Sequence, residues 1–249
     1  MTRMNTAIEL AVQDVAGTLV AAEVGADRVE LGSALGVGGL TPSRGVIEAA
    51  VAAGAPHGVE VHVLIRPRAG DFVFTPAETA VMIADVRHAV AAGAAGVVIG
   101  ALTPTGEVDL PAVDALVAAA DGAEVTFHRA IDVSGNLFEV ADTLLGHGIT
   151  RVLTSGGALL AADGTAVLTE LVDRLAGRMQ VMAGSGINPG NVAAVAATGV
   201  DAVHFSAKEI VAGDALALGS ADDGGYERTD PLLARRVVDA LAADLALSR

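Results

Sequence analysis

One phrase recurs along the chain and constrains its fold more than any other feature: an Ala/Val-rich helical run, a glycine, and then a short β-branched strand. It reads TLVAAEVGADRVELG, VRHAVAAGAAGVVIG, VADTLLGHGITRVLTS and VAAVAATGVDAVHFS. Each glycine stands where a helix C-cap belongs and hands the chain on to a strand. Eight strand candidates begin near Ala7, Arg28, Val59, Gly96, Glu124, Arg151, Met179 and Asp201, at intervals of about 21 to 37 residues. Helical patterns fill the gaps, as over 76–92, 136–145 and 231–247, several opening with Pro at an N1-like position. Eight βα units in 249 residues predict an α/β fold, a (β/α)8 TIM barrel made by a single domain spanning 1–249. The alternative is an open doubly wound sheet, which the even spacing and the lack of a G-x-G-x-x-G after the first strand disfavour. The segment 213–230 reads as a loop placed to fold over the barrel mouth, ahead of a C-terminal helix over 231–247.

In a parallel barrel the outward row of each strand packs on helices, while the inward row fills the interior or reaches the C-terminal rim. In EVHVLIRPRAGDF the apolar row is Val61, Val63 and Ile65, and the opposite row holds His62 and Arg66. The same sorting puts Glu9 opposite Ile8 and Leu10, and Glu30 opposite Val29 and Leu31. His128 comes from EVTFHRA, Ser155 from RVLTSGG, and His204 with Ser206 from DAVHFSA. Burying polar groups without partners costs roughly 2–7 kcal/mol each, so one interior holding two Glu and three His needs compensation. A satisfied network filling a wide interior is the plainer reading. It leaves unexplained why Arg66, Arg68, Asp71, Arg129 and Asp132 follow those strands at the face where barrel enzymes keep their sites.

The charge balance narrows the ligand. A formal net charge of −15 argues against nucleic acid and anionic membrane as partners, leaving small molecules. Fourteen Arg stand against the single Lys208, so an anion site here uses the guanidinium fork. Lys208 reads as facing away from His204 and Ser206 and is not assigned a role. Two further stretches, AGSGINPGN and HFSAK, follow the seventh and eighth strands, where barrels bind phosphate through backbone N–H groups. Gly184, Ser185 and Gly186 fit that role, although an ordinary tight turn has the same composition. The enzyme this set describes is metal-independent and acts on a small phosphorylated or carboxylated metabolite. Arg66, Arg68, Asp71, Arg129, Ser155 and Ser206 hold the substrate, and Glu9, Glu30, His62, His128, Asp132 and His204 supply acid–base chemistry. Isomerisation, aldol-type cleavage and hydrolysis all suit it. A binding module without turnover needs only the Arg clamp.

The strings GADRVELGSALGVGGLTPS, VHVLIRPRAGDFVFT, TFHRAIDVSGN, RVLTSGG and VMAGSGINPGNV together resemble the CutC family of copper homeostasis proteins. The resemblance runs from about Glu9 to Lys208 and resumes around 219–230. It implies a TIM barrel, a cytoplasmic setting, a homodimer and a role in copper tolerance, and its motif positions coincide with the inward set. The chain departs from it in having no Cys: Ala11, Gly32, Val73 and Ser134 stand where many relatives place one. Cu(I) prefers thiolate and thioether ligands, and only Met182 of five Met lies on an inward row. Copper therefore enters only through the resemblance; the three inward His could hold Cu(II) or Zn(II), and no resident cofactor or metal site is assigned from the residues themselves. With no disulfides and no signal-peptide or membrane-spanning run, the chain reads as cytoplasmic.

Overall fold

The computed structural model describes residues 6–212 and 225–247. Eight parallel strands close into a barrel in chain order, with the eighth pairing on the first. They are β1 Ala7–Val12, β2 Arg28–Leu31, β3 Glu60–Leu64, β4 Gly96–Ile99, β5 Glu124–Phe127, β6 Arg151–Thr154, β7 Gln180–Gly184 and β8 Ala202–Phe205. The helices between and after them are α1 Val15–Val24, α2 Arg44–Gly54, α3 Pro76–Ala91, α4 Leu110–Ala119, α5 Leu137–Leu144, α6 Thr165–Leu175, α7 Val192–Ala196 and α8 Pro231–Leu247. The (β/α)8 reading therefore holds, with strand starts within one residue of expectation. Among the described residues no helix is long and apolar enough to cross a membrane.

The recurring phrase works as its chemistry demands. Gly25, Gly93, Gly148 and Gly199 all have φ between +74° and +92°, the left-handed turn that ends each helix and redirects the chain into β2, β4, β6 and β8. Helix starts are fixed by side chains: Asp14 accepts from the Gly17 N–H, and Thr75 with Glu78 forms a reciprocal capping box around Pro76. Outward residues such as Leu10, Val29, Val63, Ile99, Phe127, Val152 and Val203 are fully buried against the helices, so the main core is the ring between barrel and helical shell. The barrel's own interior holds only a small apolar cluster, Leu153, Met182 and Ala202 with Ala7 against them. The rest of the inward rows is glycine, polar or charged apart from the fully buried Val98, with Ala11 and Leu64 toward the C-terminal rim.

The segment read as a loop over 213–230 is not all loop. Residues 213–224 lie outside the described part, but Tyr226–Thr229 forms strand β10, antiparallel to β9 at Lys208–Val211. Its strand signal is hidden because it is held by charge rather than apolar alternation: Lys208 binds Glu227 at 2.7 Å and Arg228 binds Glu209 at 2.6 Å. Gln13 Nε2 donates to the Glu227 carbonyl at 2.6 Å, tying the hairpin to the loop after β1 at the barrel mouth.

Candidate functional site

The interior is layered. At the N-terminal end Arg151, fully buried, donates to Gln180 Oε1 (2.8 Å), Thr126 Oγ1 (3.0 Å) and Glu124 Oε2 (2.8 Å). These residues belong to β5, β6 and β7, so one guanidinium fastens three strands. Next to it His62 is wholly enclosed, and neither ring nitrogen has a hydrogen-bond partner. Its Nε2 stands 3.7 Å from Glu60 and 3.9 Å from Glu124, beyond hydrogen-bonding range. Burial, offset in part by the Glu9 and Glu124 charges and reinforced by Arg151 and Arg28, holds it neutral with a pKa pushed down to about 4. Its ring fits only because Gly96 opposite it has no side chain: a Cβ there would stand 2.6 Å from His62 Cε1.

Above this layer Glu9 of β1, fully buried, divides its oxygens between two partners. Arg28 Nε donates to Oε2 at 2.6 Å and His204 Nδ1 donates to Oε1 at 2.7 Å. Burial alone would raise its pKa, but these two partners hold the carboxylate well below the usual range. His204 then presents Nε2 to Glu30 Oε2 at 3.3 Å. Burial disfavours its charge, yet the Glu9 hydrogen bond and the Glu30 and Glu9 charges outweigh that and raise its pKa. Glu30 has no such anchor. Burial, reinforced by the Glu9 charge and offset in part by His204, pushes its pKa up to about 7.

Glu30 and His204 form part of the wall of a cavity of about 360 Å³ at the C-terminal mouth. Around them stand His128, Arg66, Arg129, Ser185, Gly186, Ser206 and Lys208, with Leu35, Leu64, Phe72, Leu153, Ile187 and Phe205 supplying apolar wall. No described residue accepts from the N–H of Ser185 or Gly186. Arg66 is buried beneath the rim. It donates to the carbonyls of Val37 (3.2 Å), Gly39 (3.1 Å) and Gly70 (2.7 Å), lies over the Phe72 ring at 5.0 Å, and leaves Nε without a partner. His128, at the end of β5, accepts the Ala130 N–H on Nδ1 at 3.1 Å and has Nε2 unpartnered. Burial and the neighbouring Arg66 push its pKa down to about 3. Gly100 gives the ring its space, since a Cβ there would overlap His128 Cε1 and Nδ1. Gly100→Ala is expected to cost about 1–3 kcal/mol by overpacking and to displace the His128 ring, checked by urea unfolding and by the imidazole NMR signals.

The alternation of inward residues thus brings Glu30, His204, Arg66, His128, Arg129, Ser185, Gly186 and Ser206 to one cavity, and several expectations need correction. Arg68 and Asp71 are not in it. Arg68 bonds Glu78 at 2.6 Å and Asp71 at 2.9 Å in an outer cluster beside the capping box of α3. Beyond Leu64 the chain has left the strand, and alternation no longer says where a side chain points. Asp132 accepts from Arg129 Nε and from the Ser155 and Gly157 N–H groups at 2.8 to 3.1 Å, and Ser155 Oγ also bonds it. Both residues are a clip between the loops after β5 and β6 rather than cavity wall. Glu9 and His62 lie beneath the cavity. Gly184 ends β7 packed against Leu153 and His204. The three His do not converge: among the described residues the one cluster with metal-ligand composition is Glu9, Glu30 and His204. Lys208, read as facing away, does line the cavity, because β8 ends at Phe205 and the hairpin sets a new direction. Arg28 and Arg151 were missed, although they share parity with Glu30 and Ser155.

The profile of the CutC family matches residues 6–209. The chain belongs to the CutC family. A CutC family protein from Xylella fastidiosa (strain 9a5c) is 44% identical over 245 residues, covering 96% of this chain and 90% of its own. The structure of a CutC protein from Streptococcus agalactiae, named for copper homeostasis, superposes with a TM-score of 0.78 at 30% identity, over 81% of this chain and 99% of that one. A deoxyribose phosphate aldolase from Aeropyrum pernix shares the fold alone, with a TM-score of 0.63, 18% identity, and coverage of 82% and 86%.

The copper in the name of the Streptococcus agalactiae protein can be tested against the donors present in this chain. Glu9, Glu30 and His204 each place a ligand-type atom within 4.8 Å of the others. Both Glu9 oxygens and His204 Nδ1 are already spent on one another and on Arg28, whose positive charge adjoins the cluster. The remaining soft donor, Met182 Sδ, accepts from Arg28 Nη2 at 3.5 Å. A cationic guanidinium between the thioether and the carboxylate is the wrong neighbour for Cu(I), and with no Cys in the chain these residues do not fit it.

Proposed function

We propose that the mouth of the barrel binds a small organic anion and moves a proton on it, so that this CutC family member is a metal-independent enzyme whose link to copper is indirect. The observation that carries the reading is Arg66: a buried guanidinium bonded to three carbonyls, with no carboxylate among its hydrogen-bond partners and a free Nε. Carbonyls satisfy donors without cancelling charge, and Asp71, bonded to Arg68, acts on Arg66 only through space, so this buried cation with no directly bonded counter-ion gains from a ligand that brings one. Arg129 at the rim and the N–H groups of Ser185 and Gly186 add donors for phosphate or carboxylate oxygens.

Glu30 supplies the proton chemistry. A pKa of about 7 leaves it divided between acid and base at neutral pH, the condition for exchange in either direction. Glu9 fixes His204 with Nδ1–H as donor, so Nε2 faces Glu30 and can take its proton or return it. This pairing assigns the base to Glu30 and the positioning of its partner to Glu9.

Thermal denaturation with inorganic phosphate and glycerol 3-phosphate tests the reading. Wild-type Tm should rise with either anion by mass action. Arg129→Met, chosen because Arg66 also ties the loops after β2 and β3 together, should weaken apparent affinity tenfold or more, consistent with losing a charge-assisted bond of about 1.5–3 kcal/mol. Stoichiometric retention of Cu(I), lost on changing Met182 or His204 and accompanied by no response to anions, would overturn it.

A further inference from the structure

His128 has a tautomer, an environment and an unmet need that together say more about the ligand than its charge. Its Nδ1 accepts the Ala130 N–H at 3.1 Å, so the neutral ring carries its proton on Nε2. That Nε2–H is buried and finds no acceptor among the described residues, although the ring lines the cavity that Glu30 also lines. The ring cannot turn aside to find one: Phe72 packs against it with centroids 4.8 Å apart, and Gly100 lies so close on another side that it leaves no room for a Cβ. Burial, with Arg66 nearby, disfavours a second proton. The cavity thus holds a rigid, uncharged donor beside a cationic one. For an anionic group Arg66, Arg129 and Lys208 already serve; a neutral N–H instead matches an oxygen that starts uncharged and gains charge during reaction.

We infer that His128 Nε2–H is a catalytic donor to a carbonyl oxygen of the substrate, and that the reaction begins by removing a proton from the carbon next to that carbonyl. This rests on the anion reading above and narrows it to a carbonyl compound bearing a phosphate or carboxylate. Glu30, as carboxylate, takes the proton. The C–H bond breaks, an O–H bond forms on Glu30, and the electron pair becomes the new C=C as the carbonyl π pair moves onto oxygen. The enolate oxygen accepts from His128, which keeps its proton throughout. With a hydroxyl on the carbon that lost its proton, that O–H proton passes to the neighbouring enolate oxygen, and Glu30 returns its own proton to the former carbonyl carbon on the same face, giving an aldose–ketose pair without any other reactant.

Calorimetry with matched ligand pairs tests it. Phosphoglycolohydroxamate, an enediolate mimic, is compared with glycerol 3-phosphate, which has a hydroxyl in its place; oxalate, an enolate mimic, is compared with lactate. In one pair the mimic should bind wild type at least 100-fold tighter than its partner, and the Nε2-bound proton of His128 should move downfield in NMR of the saturated protein. His128→Ala should erase the preference and His128→Gln, which keeps an N–H, should restore part of it. Should the mimic and its alcohol bind equally well in both pairs, or the Nε2 proton not respond, the carbonyl inference falls while the anion reading stands. Should none of the four bind and phosphate also fail, the anion reading falls and takes this one with it. The NMR measurement needs no variant, so poor folding of His128→Ala does not shield the inference.

Discussion

Glu9→Leu is expected to lower stability by about 3–5 kcal/mol, close to the largest loss any single change inside the barrel can bring. Glu9 is fully buried, and its two oxygens are the partners of Arg28 Nε and His204 Nδ1. Removing the carboxylate leaves the buried Arg28 with only the weak Met182 Sδ contact at 3.5 Å, and a guanidinium cannot escape by losing its proton. The penalty is therefore that of an uncompensated buried charge rather than of one lost attraction. Arg28→Met in the same chain should recover much of the stability, because replacing both ions by apolar groups of similar size removes the desolvation cost together with the attraction. Urea unfolding of wild type, both single variants and the double variant measures the coupling. If the double variant is as unstable as the sum of the singles, the pair is not interacting as its 2.6 Å geometry requires. Glu9→Gln keeps the shape and removes the charge; it should also let the Glu30 pKa drop from about 7, since the Glu9 charge is one of the causes holding it up.

Period-2 rows and the glycine-ended helices were enough for the barrel, and within strands they placed Glu9, Glu30, His62, His128 and His204 inside. Arg28 and Arg151 obey the same parity, but an arginine at the first position of a strand looks like a solvated end residue. Only closure of the cylinder turns it into an interior one, and its partners, Glu9 from β1 and Glu124 from β5, come from other strands. Past the strand ends the rule lapses altogether. Arg66 stays at the cavity because loop carbonyls wrap its guanidinium, whereas Arg68, two residues on, is drawn off by Glu78 from the next helix. Asp132 and Ser155 satisfy each other, a choice that neither sequence spacing nor residue type could announce. The β9–β10 hairpin escaped for a related reason: its ladder is stapled by exposed ion pairs and offers no apolar period to read.

The neutral histidines also dictate how the protein responds to acid. In the unfolded chain His62 and His128 titrate near 6.5, but in the fold their pKa values lie at about 4 and about 3. Between pH 6.5 and 4 the unfolded state binds protons that the folded state refuses, so stability falls as pH falls, by about 3 kcal/mol for each histidine at pH 4. Glu30 acts in the opposite sense. Its folded pKa of about 7 lies above the ordinary 4.5, so the stability linked to it is complete below pH 4.5 and is lost as pH rises through 7, again about 3 kcal/mol. The wild-type profile also carries the acid gain of His204, whose pKa is raised, and the acid loss of Glu9, whose pKa is lowered, and single variants separate the contributions. His62→Leu should flatten the acid limb, losing about 3 kcal/mol less than wild type between pH 7 and pH 4 whatever its starting stability. Glu30→Gln should steepen it, because the compensating proton uptake is gone. Urea midpoints at pH 7, 5.5 and 4 for the three proteins decide the matter. A His62→Leu profile parallel to wild type would mean that the ring takes up its proton inside the barrel, with Glu60 and Glu124 drawn in to meet it from their present 3.7 and 3.9 Å. The interior would then yield to charge instead of excluding it, and His128, enclosed in the same way but beside Arg66, would be the next group whose neutrality had to be measured directly.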